Sequence, residues 1–241
     1  HSSVRIAFYF GFMRSGFLLV DKPKKYTSHD VVVRVRKKIG IRKVGHCGTL
    51  DPSVTGLLVL AIGREATKLS SFISDAKKGY LGKGKLGIVT PSQDLETSPS
   101  SEMLVEDFEL KDLIDCARKF EGSIFQKPPM FSAVKKDGTP LYKLARRGLN
   151  VDREEKWRYV HFFQIKNLDM PYFGFETEVS KGTYVRTLVH DIGQSLGCGA
   201  ALADLRRTQC GRFHVENSYT LDSLINSEME KIESLIIPAE C

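Results

Sequence analysis

Hydrophobic and polar positions follow strand and helix periods from residue 16 onwards. The apolar run 16–20 is typical of a short buried strand, which Pro23 cannot continue. Over 31–39 apolar residues recur at helical spacing, with Thr27 or Ser28 as N-cap and Gly40 as C-cap. The run 56–63, GLLVLAIG, predicts a second buried strand, and a helix near 66–74 follows with Leu69, Phe72 and Ile73 directed inward.

The second half of the chain continues this mixture. Residues 77–90 alternate glycine, lysine and apolar positions, as in an edge strand or hairpin, and the Ser- and Pro-rich stretch 91–104 is the most linker-like segment. Helices are predicted at 107–121, 183–197 and from Leu221, and strands over 157–180 around a turn and at 201–208. The pattern predicts an α+β fold with a mixed, largely antiparallel sheet and flanking helices.

Composition narrows the class of protein. The chain has 241 residues, of which 41% are hydrophobic and 27% charged, which excludes a wholly disordered chain. The net charge of +7 weakly favours an anionic partner. Five widely spaced cysteines without a CxxC pair argue against a disulfide framework or zinc ribbon and favour a reducing compartment. No apolar run approaches the ~18 residues that cross a bilayer, and residues 1–15 are interpreted as an N-terminal extension that need not be native.

The densest candidate chemistry lies in the loop 43–52, KVGHCGTLDP. Asp51 precedes Pro52, so it is either a reactive carboxylate or only a turn or N-cap residue. His46 is equally open to a structural interpretation. A metal site is not predicted, because His46 and Cys47 are adjacent and no second ligand pair stands at a suitable spacing.

Three further segments carry basic or polar groups. Arg186, in SKGTYVRT, falls in a first helical turn and calls for a carboxylate or phosphate partner, unless it is a surface arginine. Segment 126–148 interleaves basic residues with Phe131 and Tyr142, a mixture that suits RNA but equally fits a solvated helix and proline loop. Segment 203–213 offers phosphate contacts through Arg206, Arg207 and Arg212.

Taken together, these segments resemble the TruB-type pseudouridine synthases. KPKKYTS (22–28) resembles KPxGxTS, GHCGTLDPSVTG (45–56) resembles GHxGTLDPxAxG, and KGY (78–80), KGTYVR (181–186) and LRR (205–207) follow in family order. The chain departs from the pattern at Lys25, where glycine or its neighbour is usual, at Cys47, and at TPSQD (90–94) in place of TDTxD.

The resemblance implies isomerisation of the T-loop uridine at tRNA position 55, without cofactor or metal. Asp51 would be the nucleophile, attacking either C6 of uracil or C1′, Tyr80 would lie against the flipped-out base, and Arg186 would pair with Asp51 in a water-poor pocket. The resemblance also implies a set of substrate-binding residues: His46, Lys22, Pro23, Lys78, Leu205, Lys135, Lys136, Arg146, Arg147 and Arg206.

The resemblance further implies a catalytic domain over 16–220, with an RNA-closing segment near 122–150. Residues 221–241 are expected to form a short helix or tail, too short for the C-terminal RNA-binding domain of bacterial members. The expected partner is the tRNA T-arm, bound by a cytoplasmic monomer without a membrane or guide RNA. A non-catalytic RNA-binding protein and a guide-dependent synthase of the dyskerin kind remain as alternatives; Asp51, Tyr80 and Arg186 argue against the first, and chain length against the second.

Overall fold

A computed structural model describes residues 15–105 and 109–239 of the chain. Its strands are β1 (Gly16–Lys22), β2 (Val44–His46), β3 (Thr55–Ile62), β4 (Lys78–Leu86), β5 (Ile88–Val89), β6 (Ser101–Glu102), β7 (Gly122–Gln126), β8 (Lys135–Lys136), β9 (Thr139–Pro140), β10 (Lys156–Asp169), β11 (Tyr172–Val179), β12 (Ala200–Cys210), β13 (Phe213–His214), β14 (Tyr219–Thr220) and β15 (Ile237–Pro238). Its α-helices are α1 (Ser28–Ile39), α2 (Gly63–Asp75), α3 (Leu110–Arg118), α4 (Leu141–Ala145), α5 (Val185–Ser195), α6 (Leu221–Asn226) and α7 (Met229–Leu235).

One long sheet organises the fold. Its strands run in the order β14-β1-β3-β12-β4-β11-β10-β7, with β2, β13 and β15 paired to its members. The pairs β1–β14 and β3–β12 are parallel, and the other pairs of this sheet are antiparallel. The predicted α+β class with a mixed, largely antiparallel sheet is therefore confirmed. No helix in the described ranges has the length and apolar composition to cross a membrane.

The clearest sequence signals correspond to observed local structure. Thr27 caps α1 through a capping box with Asp30, whose backbone N–H donates to the Thr27 hydroxyl at 3.0 Å, and Gly40 ends the helix at φ 71°. Strand β3 is apolar without interruption because alternate residues enter two different cores. Leu58, Leu60 and Ile62 join the larger cluster, whereas Leu57, Val59 and Ala61 join the smaller one.

The edge or hairpin prediction for residues 77–90 is wrong, because β4 is a central strand between β12 and β11. Its glycines make room for aromatic rings of the neighbouring strand. A Cβ at Gly82 would lie 2.2 Å from the ring of Phe175, and one at Gly84 would lie 2.3 Å from the ring of Phe173. The glycine pattern therefore reflects close packing in the sheet centre rather than an exposed strand.

Two predicted helices are present but differ from the prediction, one in the residues that it buries and the other in its length. Leu69 and Ile73 of α2 pack against the smaller core, but Phe72 is 74% exposed, since it lies at the edge of the helix face that they form. The helix predicted at 107–121 is the shorter α3, and residues 106–108 lie outside the described residues, as do 1–14 of the predicted N-terminal extension.

Candidate active site

Asp51 lies in the loop 47–54, between β2 and β3, and this loop is anchored to the fold along its length. The backbone N–H of Cys47 donates to the Val59 carbonyl at 2.8 Å. Ser28, on α1, accepts from the N–H of Leu50 at 2.9 Å and donates to the Leu50 carbonyl at 3.2 Å. The anchored backbone presents the Asp51 carboxylate with half of its side chain exposed.

A cavity of about 430 Å³ opens beside this carboxylate. Its walls bring together Asp51, Tyr80, Arg186, Leu205 and Lys78, which come from four separate parts of the sequence. The volume falls within the range of small-ligand sites in proteins. The three residues expected to carry the chemistry therefore share one cavity with two of the expected binding residues.

Arg186 enters the cavity from the first turn of α5 and contacts two carboxylates. Its Nη2 lies 3.6 Å from Asp51 Oδ2 and donates to the Phe131 carbonyl, while its Nη1 lies 3.5 Å from Asp94 Oδ2 and 3.3 Å from the Ser92 carbonyl. The predicted Arg186–Asp51 pairing is present as a single contact. The pair was expected to lie in a water-poor pocket. Arg186 is only 8% exposed, but the side chain of Asp51 is 50% exposed to water.

Asp94 was not among the predicted site residues. Its side chain is 9% exposed, and its Oδ1 accepts hydrogen bonds from the Ser92 hydroxyl and from the N–H of Glu96 at 3.0 Å. The backbone of Leu95 continues the anchorage by donating to the Leu202 carbonyl at 3.1 Å. The segment interpreted as a linker is therefore docked on the sheet at this point, and it supplies the second carboxylate of the arginine.

Two tyrosines line the cavity. Burial raises the pKa of Tyr80, and the charge of the neighbouring Arg207 acts in the opposite direction. Burial also raises the pKa of Tyr184, whose ring centroid lies 5.7 Å from the Arg186 guanidinium carbon. Both phenols therefore remain protonated at neutral pH. Tyr184 was overlooked as a site residue although it belongs to the KGTYVR motif.

Lys22 does not reach the cavity. It has no exposed surface, and its Nζ donates to the carbonyls of Pro23 at 2.9 Å, Tyr26 at 2.7 Å and Pro52 at 3.4 Å. Burial lowers the pKa of Lys22 to about 8. The structure thus gives Lys22 a supporting position under the loop that carries Asp51, with Pro23 as one of its acceptors, in place of the expected substrate contact.

Of the two other expected binding residues near this loop, Lys78 lines the cavity and His46 does not. Lys78 lines the cavity, but its Nζ donates to the carbonyls of Ser74 at 2.8 Å and Ala76 at 2.7 Å. His46 ends β2 outside the cavity lining, and burial lowers the pKa of its imidazole. His46 is therefore not in a position to contact a base inside this cavity.

The predicted RNA-closing segment forms one wall of the cavity. Residues 132–134 line it, while the side chains of Lys135, Lys136, Arg146 and Arg147 are exposed further out on the same segment. Arg206 is placed differently, because its guanidinium makes a two-pronged contact with the Asp21 carboxylate at 2.9 and 2.7 Å. Its expected phosphate contact is thus already taken by a protein carboxylate.

The described residues contain no group of three or more His, Cys, Asp or Glu side chains that could hold a metal ion. Asp51 and Asp94 both face the Arg186 guanidinium, which occupies the position where a cation would sit between them. The chemistry available at the cavity is thus that of a half-exposed carboxylate, a buried arginine and two phenols.

Comparison with known proteins gives the class of this site. Residues 36–185 match the family model for TruB family pseudouridylate synthase (N terminal domain), and residues 186–241 match that for the tRNA pseudouridylate synthase B C-terminal domain. The solved chain of a Cbf5-Nop10-Gar1 complex superposes with a TM-score of 0.74 at 30% identity, covering 94% of this chain and 61% of that one. The fold and cavity are thus those of a pseudouridine synthase.

Curated relatives are similar over most of their length. The tRNA pseudouridine synthase B of Opitutus terrae is 45% identical over 92% of this chain and 92% of its own. That of Clostridium tetani is 41% identical over 94% of this chain and 77% of its own. The chain belongs to the TruB family.

Proposed function

We propose that this protein is a tRNA pseudouridine synthase that converts the T-loop uridine at position 55 without a guide RNA, cofactor or metal. The observation that carries the proposal is the half-exposed Asp51 carboxylate, fixed at a base-sized cavity and 3.6 Å from the buried Arg186. The names of the relatives from Opitutus terrae and Clostridium tetani support tRNA as the substrate. We place the activity in the cytoplasm, as a monomer, with residues 16–220 as the catalytic unit.

The reaction breaks the bond between N1 of uracil and C1′, rotates the base, and joins C5 to C1′. Since a stacked base is out of reach, the uridine first flips out of the loop, at a cost of a few kcal/mol. Asp51 then adds to C6 of the ring or to C1′, and a carboxylate needs no activating base for either attack. Arg186 holds the carboxylate in position as the entering base displaces water from the cavity.

The phenol of Tyr80, which stays protonated, packs against the flipped ring, and Leu205 closes the cavity wall. The C5 proton passes to water or to the Asp51 carboxylate once this is released. The isomerisation loses and gains no atoms, because the proton lost from C5 is balanced by one gained at N1. This balance explains how the protein's own side chains can complete the reaction.

A guide-dependent activity is the second candidate, because the solved Cbf5 chains belong to complexes named for Nop10, Gar1 and box H/ACA sRNP. Their identities of 28–30% are lower than the 45% and 41% of the two bacterial relatives. The stand-alone reaction is therefore the better supported of the two.

The test is purified protein with an unmodified tRNA transcript in EDTA and without ATP, with pseudouridine mapped by position. We expect conversion at position 55, and loss of detectable turnover in Asp51→Asn with tRNA binding retained. Asp115→Asn, an exposed change on α3, is the matched control. Conversion only after adding a guide RNA or partner protein would refute the stand-alone activity, and near wild-type turnover by Asp51→Asn would remove Asp51 from its role.

A further inference from the structure

Arg207 is a fully buried cation directly behind the nucleophile loop. It is 1% exposed, and its Nε donates to the Leu57 carbonyl at 2.8 Å, its Nη2 to Gly48 at 3.2 Å and its Nη1 to Thr49 at 3.4 Å. Each of these acceptors is a backbone carbonyl. Burying a charge is costly unless it is well compensated, so a guanidinium used in this way is a poor choice for stability alone.

Two glycines with positive φ lie beside Arg207, one before and one after Asp51. Gly48 has φ 105°, and a Cβ there would lie 3.7 Å from Arg207 Nη1 and 3.6 Å from the Lys78 side chain. Gly56 has φ 99°, and a Cβ there would lie 2.2 Å from the Arg207 carbonyl oxygen. At Gly48 the positive φ requires glycine, and at Gly56, in β3, both the positive φ and the close approach of the Arg207 backbone require it.

Arg207 also lies beside Tyr80. The two residues are direct partners in the antiparallel pairing of β12 with β4, and both line the cavity. Directly opposed side chains have their Cβ atoms about 5 Å apart. The positive charge of Arg207 lowers the pKa of Tyr80 against the larger effect of burial. One guanidinium is therefore in contact with the loop that carries Asp51 and adjacent to the phenol.

We propose that Arg207 is a positioning residue for the reaction, which fixes the nucleophile loop and the Tyr80 phenol in one relative geometry. The inference rests on the proposed function, in which Asp51 and Tyr80 act on the same flipped base. Because Arg207 has almost no exposed surface, its effect reaches the substrate through these two residues and not through contact with RNA. Its loss should therefore slow the chemical step and leave RNA affinity nearly unchanged.

The experiment compares Arg207→Lys and Arg207→Met with Arg36→Lys and Arg36→Met. Arg36 is a suitable control because it is half-buried on α1, donates to the Val44 carbonyl at 3.0 Å and lies outside the cavity lining. The measurements are the tRNA Kd, the single-turnover rate at saturating tRNA and the amide exchange of residues 48–51. Misplacement of a reacting group by about 1 Å costs roughly 100-fold in rate, so we expect a 10- to 100-fold loss in Arg207→Lys.

The Kd should stay within about twofold of wild type, and exchange should rise at 48–51 without a general rise across the sheet. A wild-type rate with a lowered melting temperature would reduce Arg207 to a structural residue. A weakened Kd with an unchanged saturated rate would mean an RNA contact instead. If Arg207→Met does not fold, Arg207→Lys decides, since it keeps the charge and most of the volume. If the wild type is inactive on tRNA, the proposed function fails, and the exchange measurement still tests whether Arg207 holds the loop.

Discussion

Replacing Arg186 by lysine separates the two carboxylates that this arginine joins. Each terminal nitrogen of the guanidinium contacts one carboxylate: Nη2 lies 3.6 Å from Asp51 Oδ2, and Nη1 lies 3.5 Å from Asp94 Oδ2. A lysine has one ammonium group on a different stem and cannot reproduce the planar fork. We expect the ammonium to follow Asp94, because that carboxylate is 9% exposed whereas Asp51 is 50% exposed and stabilised by water.

The magnitude follows from the 3.6 Å ion contact between Arg186 Nη2 and Asp51 Oδ2, which we expect to shorten to a hydrogen bond when the base enters and which lysine cannot reproduce. A hydrogen bond to a charged group contributes about 1.5–3 kcal/mol, so its absence at Asp51 in the closed complex slows the chemical step by about 10- to 150-fold. Arg186→Ala is expected to be worse, because it leaves Asp94 buried without its partner. Breaking a buried pair in this way destabilises the fold by about 3–5 kcal/mol.

The assay is the single-turnover rate of pseudouridine formation at saturating tRNA, measured beside the tRNA Kd and urea denaturation. Arg36→Lys is the matched control, since it makes the same change outside the cavity lining. An Arg186→Lys enzyme with wild-type rate and stability would show that the fork is irrelevant to catalysis. A loss of affinity equal to the loss of rate would place Arg186 in RNA binding instead.

Two further predictions concern RNA binding and pH. The double change of Lys135 and Lys136 to alanine should weaken tRNA binding and leave the single-turnover rate at saturating tRNA unchanged. The slope of the logarithm of the binding constant against the logarithm of salt concentration should fall by roughly 0.7–0.9 for each phosphate that is no longer neutralised. A slope and affinity equal to those of a Lys111 and Lys119 double alanine control would show that Lys135 and Lys136 only face solvent. Burial raises the pKa of Asp191 to about 6, so its folded form holds a proton that the unfolded form has released, and stability falls as pH rises from about 4 to above 6. The full shift is worth about 3 kcal/mol, and partial exposure reduces the free energy of unfolding that Asp191→Asn should gain at pH 7 to about 1–2 kcal/mol. Urea denaturation of the wild type and the variant at pH 4 and 7 measures this gain. Equal stability of the two proteins at pH 7 would contradict the prediction.

Local patterns predicted the elements whose signals lie within a few residues. The capping box at Thr27 and the left-handed Gly40 define the ends of α1, and both can be identified from residue type and spacing. The continuous apolar run of β3 is explained in the same way by burial on both faces. For such elements, neighbouring residues carry enough of the free energy to decide the conformation.

The errors arose where a distant partner decides the outcome. The glycines of β4 indicated an exposed strand because the rings of Phe173 and Phe175, about ninety residues later, cannot be assigned to them from the sequence. Phe72 shows the opposite case, since an apolar residue at a helical position need not face the core. The linker interpretation of 91–104 missed the docking of residues 92–95, because the buried Arg186 takes the Ser92 carbonyl and the Asp94 carboxylate as its partners.

The candidate site divides in a similar way. Asp51, Tyr80 and Arg186 were identified through motifs shared with the family, and residue spacing alone left the structural interpretations open. Asp94 and Arg207 stand inside two of the family-like segments, TPSQD and LRR, but nothing local distinguishes a buried carboxylate or guanidinium from an exposed one. Their burial is a property of the assembled sheet.

The loop that carries Asp51, the proposed nucleophile, is held on both sides of this residue by hydrogen bonds to its backbone carbonyls. Before Asp51, Arg207 binds the carbonyls at 48 and 49; after it, the Pro52 carbonyl accepts from Lys22 at 3.4 Å and from the backbone N–H of Lys25 at 2.8 Å. Lys25 has φ 70°, which costs a non-glycine residue about 1–2 kcal/mol and accounts for the usual glycine near this point of the motif. Because the backbone is fixed on either side, the half-exposed Asp51 carboxylate is held in one position. We therefore expect the KPKKYTS segment to affect the proposed reaction through the loop that it supports.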